Sequence, residues 1–240
     1  MDEQIANWWT EFVKQAPHIH ALFHRQEEWD LLEWMQQHFS PIHPHLMWEF
    51  GPARRGPGHR LVITPEARRE LRPLVREVLR RAPHIEGWEF YQYRLAEKDI
   101  ADAAATVKGR VGGDIEHLQV LVQAGDFNRV DLRFLGFPPE ADTQHNNSVA
   151  FVASETLLGE EVLDRWIGVI DVEPQPAGDE RPFAIADLQA KVQQLIEQIQ
   201  DTLPERPWHE IDIENDVPWG TLEIDSEECE DCIRQEDLLV

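Results

Sequence analysis

Residues 46–95 read LMWEFGPARRGPGHRLVITPEARRELRPLVREVLRRAPHIEGWEFYQYRL, and this stretch decides the fold. LMWEF has the composition of a short strand, GPARRGPG is a Gly/Pro loop too long for a tight hairpin, and HRLVI is a second strand. Thr64 then stands where a helix N-cap belongs, with Pro65 at the first helical position. Ala67, Leu71, Leu74, Val75, Val78, Leu79 and Ala82 mark one face of that helix, and Arg68, Arg72, Arg76 and Arg80 another. Pro73 falls inside the pattern, where it is expected to kink the helix at a cost of up to ~3 kcal/mol. After Ala82-Pro83 the aromatic run WEFYQYRL returns as a strand. A strand–helix–strand connection of this length implies parallel pairing through a right-handed crossover.

A second copy of this outline lies downstream. IEHLQVLVQ and FNRVDLRFL flank Ala124-Gly125-Asp126, with Leu118, Val120 and Val122 alternating on one side and Val130, Leu132 and Phe134 on the other. This is a hairpin with a buried face and a charged outer face bearing Arg129, Asp131 and Arg133. SVAFVAS reads as a further strand, ETLLGEEVLDR as a short helix and WIGVIDVEP as a strand. The order of elements therefore repeats, which suggests one continuous sheet with helices on one face.

Around this core, residues 3–15 space Ile5, Trp8, Trp9, Phe12 and Val13 as a helix does, and a second helix is expected from about Gln26 to Phe39. PIHPH (41–45) reads as an extended linker, because residues before proline avoid the helical region. Residues 183–200 carry an apolar stripe of Ile185, Leu188, Val192, Leu195, Ile196 and Ile199. This stripe is too short for a coiled coil and is expected to pack on the sheet, with self-association through it as a lesser alternative. The expected fold is α+β: a mixed β-sheet built from two ββαβ-like halves, with N-terminal helices and one C-terminal amphipathic helix packed on it. Three segments follow: an N-terminal helical segment (1–45), a two-part αβ core (46–175), and a helix plus acidic C-terminal segment (176–240).

Charge bounds the function. The formal net charge is −24 over 240 residues, which disfavours nucleic acid and anionic membrane surfaces as partners and suits a basic protein. Residues 201–240 hold 14 acidic residues against 2 basic, a net of −12, whereas 52–85 hold nine Arg against three Glu, a net of +6. The apolar islands of the tail, Trp208 and Trp219 among them, suggest a segment strapped onto the body. No apolar run approaches the ~20 residues of a membrane helix, and the acidic start MDEQIANWWTEF does not resemble a signal peptide. A cytoplasmic location is the simplest expectation.

Chemical motifs are sparse. Eleven histidines invite a metal site, but neither H-E-x-x-H nor another complete ligand motif is present. His20 and His24 would share a helix face at i, i+4, while His18 would not. The histidines are read as surface or interface residues, and no metal or cofactor is assigned. Were a metal to be placed, the junction of PIHPH, with His43 and His45, and strand 46–50 would be the position. Cys229-Glu-Asp-Cys232 has C-x-x-C spacing, yet a zinc ribbon needs a second pair, and the surrounding carboxylates hold the thiols protonated. Glu89, Asp171 and the pair Glu160-Glu161 are carboxylates in or beside apolar segments. Glu49 stands out because Trp48, Phe50 and Gly51 surround it, and an arginine from 54–60 or from helix 65–82 is its expected partner. No G-x-S-x-G occurs, and Gly51, Gly56 and Gly58 lack the spacing of a phosphate loop. The candidate binding residues are thus Glu49, Arg68, Arg72, Arg76, Trp208 and Trp219, with no catalytic residue assigned.

The segments L-M-W-E-F-G, R-L-V-I-T-P-E, L-R-P-L-V, A-P-x-I-x-G-W-E-F and L-L-G-E-E, spread over residues 5–173, resemble a bacterial family known as an uncharacterised domain of unknown function. The resemblance implies a bacterial cytosolic α+β protein and carries over no activity and no catalytic residue. The expected function is a non-enzymatic protein-interaction module of regulatory or immunity type with an acidic surface. The alternative is a metal-assisted hydrolase using histidine and glutamate residues.

Overall fold

The computed structural model describes residues 1–66, 68–138, 142–176 and 180–202. The chain divides into two compact units, Met1–Arg94 and Leu95–Val240, and the N-terminal helices lie in the first together with the three-stranded sheet. The fold is α+β; among the described residues a separate mixed sheet of three strands lies in the first unit and one of four in the second, where the repeat suggests one continuous sheet.

In the first unit, α1 (Asp2–Phe23) buries Ile5, Trp8, Trp9, Phe12, Ala16 and Ile19 along one stripe. It runs eight residues beyond the predicted end and contains Pro17. Proline inside a helix forfeits a hydrogen bond, but Ala16 and Ile19 are both buried, and their packing outweighs that loss. The short helix α2 (Leu31–His38) starts later than predicted, at Asp30, whose side chain accepts the backbone N–H of Glu33 at 2.9 Å. PIHPH is a pair of turns, closed by Ile42 N–H to Phe39 O and Leu46 N–H to His43 O, and not an extended linker.

Strand β1 (Met47–Pro52) pairs antiparallel with β2 (His59–Thr64), and β2 pairs parallel with β3 (Trp88–Tyr91), as the crossover requires. The connecting helix α3 (Arg72–Arg80) is shorter than predicted. Pro73 lies in its first turn, where the absent N–H costs nothing, so it opens the helix and does not kink it. Thr64 ends β2, and its hydroxyl accepts the N–H of Glu66 in a turn, which removes it as an N-cap. The indole N–H of Trp9 donates to the carbonyl of Val78 at 2.8 Å, tying α1 to α3. Leu61 and Ile63 share one core with Trp8, Phe12, Val75 and Val78, so both helices cover the same face of the sheet.

In the second unit, α4 (Ile100–Val111) precedes the hairpin of β4 (Gln119–Ala124) and β5 (Val130–Leu135), whose register pairs Val120 with Phe134 and Val122 with Leu132. Helices α5 (Thr143–Leu158) and α6 (Glu160–Trp166) lead to β6 (Ile167–Val172), parallel to β5. SVAFVAS is thus helical and not a strand. Asp142 caps α5, and within SVAFVAS the apolar Phe151 is exposed while Ser154 is buried, so the hydropathy pattern does not mark the side that faces the core. Arg129 is buried and not on the outer face, donating to the carbonyls of Asp164 and Ile167. A short strand β7 (Phe183–Ala184) borders β4, and α7 (Leu188–Gln200) buries Leu188, Val192, Ile196 and Ile199 in this core. The stripe expected to pack on the sheet is therefore covered, which leaves little of it for self-association. The tail, with Trp208, Trp219, Cys229 and Cys232, lies outside the described residues.

Phe12 is fully buried and touches Trp8, Trp9, Trp88 and Phe90. Phe12→Ala is expected to cost about 3–5 kcal/mol in urea unfolding of the first unit; a cost under about 1 kcal/mol would mean that this aromatic cluster does not hold the unit.

Candidate functional site

Three histidines converge at the end of α1. His20 lies in its last turn and His24 is the C-cap residue, so the i, i+4 spacing stacks their rings with centroids 4.1 Å apart. His24 Nδ1 is 2.9 Å from the carbonyl oxygen of His20. A carbonyl only accepts, so the proton sits on Nδ1 and Nε2 keeps its lone pair. The third ring belongs to His59, the first residue of β2, and its Nε2 is 2.9 Å from Nδ1 of His20. Two ring nitrogens at that distance share one proton.

The backbone fixes His59. Its N–H donates to Gly87 O at 2.8 Å, and its neighbours across the sheet are Pro52 and Trp88. Gly58 precedes it at φ +131°, where a Cβ would fall 2.1 Å from Gly87 O, so only glycine fits. The His59 ring packs edge-on against Phe23 at 5.2 Å between centroids. Burial, and then the charges of His20 and His24, push its pKa below the ordinary histidine value. The three rings open into a cleft of about 540 Å³ walled by Phe23, Phe50, Pro52 and Pro57. No carboxylate is among its described lining residues.

The polar network around Glu49 lies on the opposite face of the same sheet. Strand alternation puts Phe50, Pro52 and His59 on one face and Glu49, Gly51 and Arg60 on the other. Glu49 meets Arg60 at 3.3 Å and Arg94 at 3.5 Å. Arg60 is buried and also donates to the carbonyl of Pro52 at 3.0 Å, in space that a side chain at Gly51 would fill. Glu89 accepts the backbone N–H groups of Arg54 and Arg55 at 2.8 and 2.9 Å and the hydroxyl of Tyr91 at 2.7 Å. Burial would raise its pKa, but these three donors outweigh burial and hold it below the usual carboxylate value. The bonds to Glu89 tie down residues 54 and 55, from which the chain continues to Pro57 and Gly58 at the rim of the cleft.

The other candidates are dispersed. Arg72 is only 4 % exposed; its guanidinium lies 4.2 Å from the centre of the Tyr93 ring and donates to the carbonyl of Gln92. Arg68 is exposed ahead of α3, and Arg76 is half-buried on it, so the predicted arginine stripe is broken at its N-terminal end. His18 pairs with Glu27 at 2.9 Å. His43 and His45 face each other at 5.5 Å between centroids, and neither belongs to the convergent trio. Asp171 accepts the N–H of Val172, Glu161 pairs with Arg165, and Glu160 is buried in the second unit.

The sequence pairs His20 with His24 but misses His59, because nothing local says which strand end meets the end of α1. The one signal was the glycine directly before a strand that begins with histidine. In comparisons with known proteins, no protein-family model, no curated protein and no solved structure matches this chain. No helix among the described residues is long and apolar enough to cross a membrane.

The depressed pKa of Glu89 makes its contribution pH-dependent. Its stabilisation is fully present above the unfolded-state carboxyl pKa of about 4.3 and is lost as pH falls through the lower folded value. Glu89→Gln is therefore expected to destabilise the first unit more at pH 7 than at pH 3 in parallel urea titrations. Equal losses at both pH values would show that the carboxylate charge plays no part.

Proposed function

We propose that the protein is a non-enzymatic interaction module of regulatory or immunity type, whose acidic surface meets a basic protein in the bacterial cytoplasm. The observation that supports this reading is how the arginines are used. Arg60 and Arg94 pair with Glu49, Arg80 and Arg81 with Glu77, Arg110 with Glu155, Arg133 with Glu173 and Glu180, and Arg165 with Glu161. Arg72 and Arg129 are buried on backbone carbonyls. Much of the chain's positive charge is thereby committed to its own carboxylates and carbonyls, while acidic residues exceed basic ones by 24.

Such a field speeds encounter with a cation-rich surface and repels polyanions. Of the candidate binding residues, Glu49 and Arg72 are engaged with other residues of the first unit. Arg68 and Arg76 remain candidates on the surface near α3, and Trp208 and Trp219 remain candidates on the tail. The second reading, metal-assisted hydrolysis, is favoured by the imidazole trio, but it cannot use Glu49, which faces away from the histidines across the sheet.

Purification of the chain from its native host is expected to retain a stoichiometric basic protein at about 0.05 M salt and to release it near 0.5 M, where the Debye length shrinks to a few Å. Absence of any stoichiometric companion at low salt would remove this reading. Retention independent of salt would place the binding elsewhere than on the acidic surface.

A further inference from the structure

We propose that His20, His24 and His59 bind a divalent transition-metal cation of the zinc type through three imidazole nitrogens, with a fourth position open to the cleft. This inference is independent of whether the acidic surface has a partner. One ring nitrogen from each residue lies within 4.8 Å of the other two, and the closest pair is 2.9 Å apart. Ligand nitrogens around a tetrahedral zinc, with bonds of 2.0–2.1 Å, are spaced by about 3.3 Å. The closest pair and the 4.8 Å limit lie on either side of that spacing. For the cation to enter, the proton now shared between His20 Nδ1 and His59 Nε2 moves to the other nitrogen of the ring that carries it, which leaves both facing nitrogens as ligands.

Three features beyond proximity point the same way. His24 donates its Nδ1–H to the His20 carbonyl, the outer hydrogen bond that fixes the tautomer of a ligating histidine and leaves the lone pair on Nε2. His20 and His24 sit at the C-terminal end of a 22-residue helix, whose unpaired carbonyls favour positive charge. His59 is immobilised by its sheet pairing and by Gly58, so one ligand is rigid while two exposed rings on the helix can adjust. The donor set also selects the ion. With three imidazoles and no carboxylate among the described lining residues, hard cations such as magnesium and calcium, which take oxygen ligands, are disfavoured.

The cleft beyond the rings is walled by Phe23, Phe50, Pro52 and Pro57, so the fourth ligand is solvent or a small group entering past apolar side chains. Three protein ligands with one open position is the arrangement that leaves a zinc-bound water exchangeable.

The test uses the full untagged chain carrying Cys229→Ser and Cys232→Ser, so that no thiol contributes. After removal of metal with a chelator, the chain is titrated with zinc by calorimetry and with cobalt by visible absorption. The expected result is one ion per chain, with a cobalt spectrum of four-coordinate nitrogen and oxygen type. His24→Ala, at an exposed ring whose loss leaves the fold intact by circular dichroism, is expected to weaken binding by more than the roughly 10–100-fold that loss of an outer-shell partner costs. His59→Ala is expected to do the same, and His43→Ala to have no effect. Failure of the cysteine-free chain to bind either ion stoichiometrically would overturn the proposal, as would binding that His24→Ala leaves unchanged.

Discussion

Burial of β2 on both faces is the constraint from which the first unit follows. All six residues from His59 to Thr64 are buried, so the strand has no solvated side on which to place its polar groups. On one face Leu61 and Ile63 enter the core built by α1 and α3. On the other, Arg60 would be a buried, unpaired cation, which costs several kcal/mol unless it is matched. The antiparallel neighbour supplies the match: Glu49 and the carbonyl of Pro52 receive its guanidinium, and Gly51 leaves the space. His59 stands at the strand end where the helical roof stops, so its ring closes the core and also reaches the cleft. The carboxylate–arginine network and the histidine cluster are thus two ends of one packing problem.

Legibility of the fold tracked how much of each element was decided locally. The alternation of Val120, Val122, Leu132 and Phe134 is enforced by a single buried face, and the register reproduces it. The start of α3 was misplaced because Thr64-Pro65 resembles a capped helix start, yet the same chemistry serves a turn when a strand ends there. SVAFVAS failed for the opposite reason. Within this helix Phe151 is apolar yet exposed and Ser154 is polar yet buried, so the helical period is masked and the β-branched Val149 and Val152 read as a strand. Alternation places Arg129 on a charged surface, but two carbonyls on other elements draw it inward. His59 belongs to the same class, since its meaning depends on α1 continuing past Pro17 as far as His24.

The repeated order of elements carries into topology. In both units an antiparallel hairpin is followed by helix and then by a strand parallel to the second hairpin strand. The details diverge where local chemistry intervenes. The β5–β6 ladder shifts register between Val130 and Leu132, and there the Asp131 carboxylate accepts the N–H of Val169 at 2.8 Å. The second sheet also gains β7 and the cover of α7, which the first lacks. One connectivity is thus filled in the first unit largely by interlocked aromatics and in the second by aliphatic side chains.

That division of side chains has an optical corollary. Trp8, Trp9, Trp29, Trp34, Trp48 and Trp88 all belong to the first unit, and the second contributes Trp166 among its described residues. Trp8 lies 5.9 Å from Trp9 and 5.5 Å from Trp34 between ring centroids, close enough for their excited states to mix. Ultraviolet emission and near-ultraviolet dichroism of this protein are therefore weighted towards the indole-rich half, and a transition seen at those wavelengths can finish while the aliphatic half is still intact.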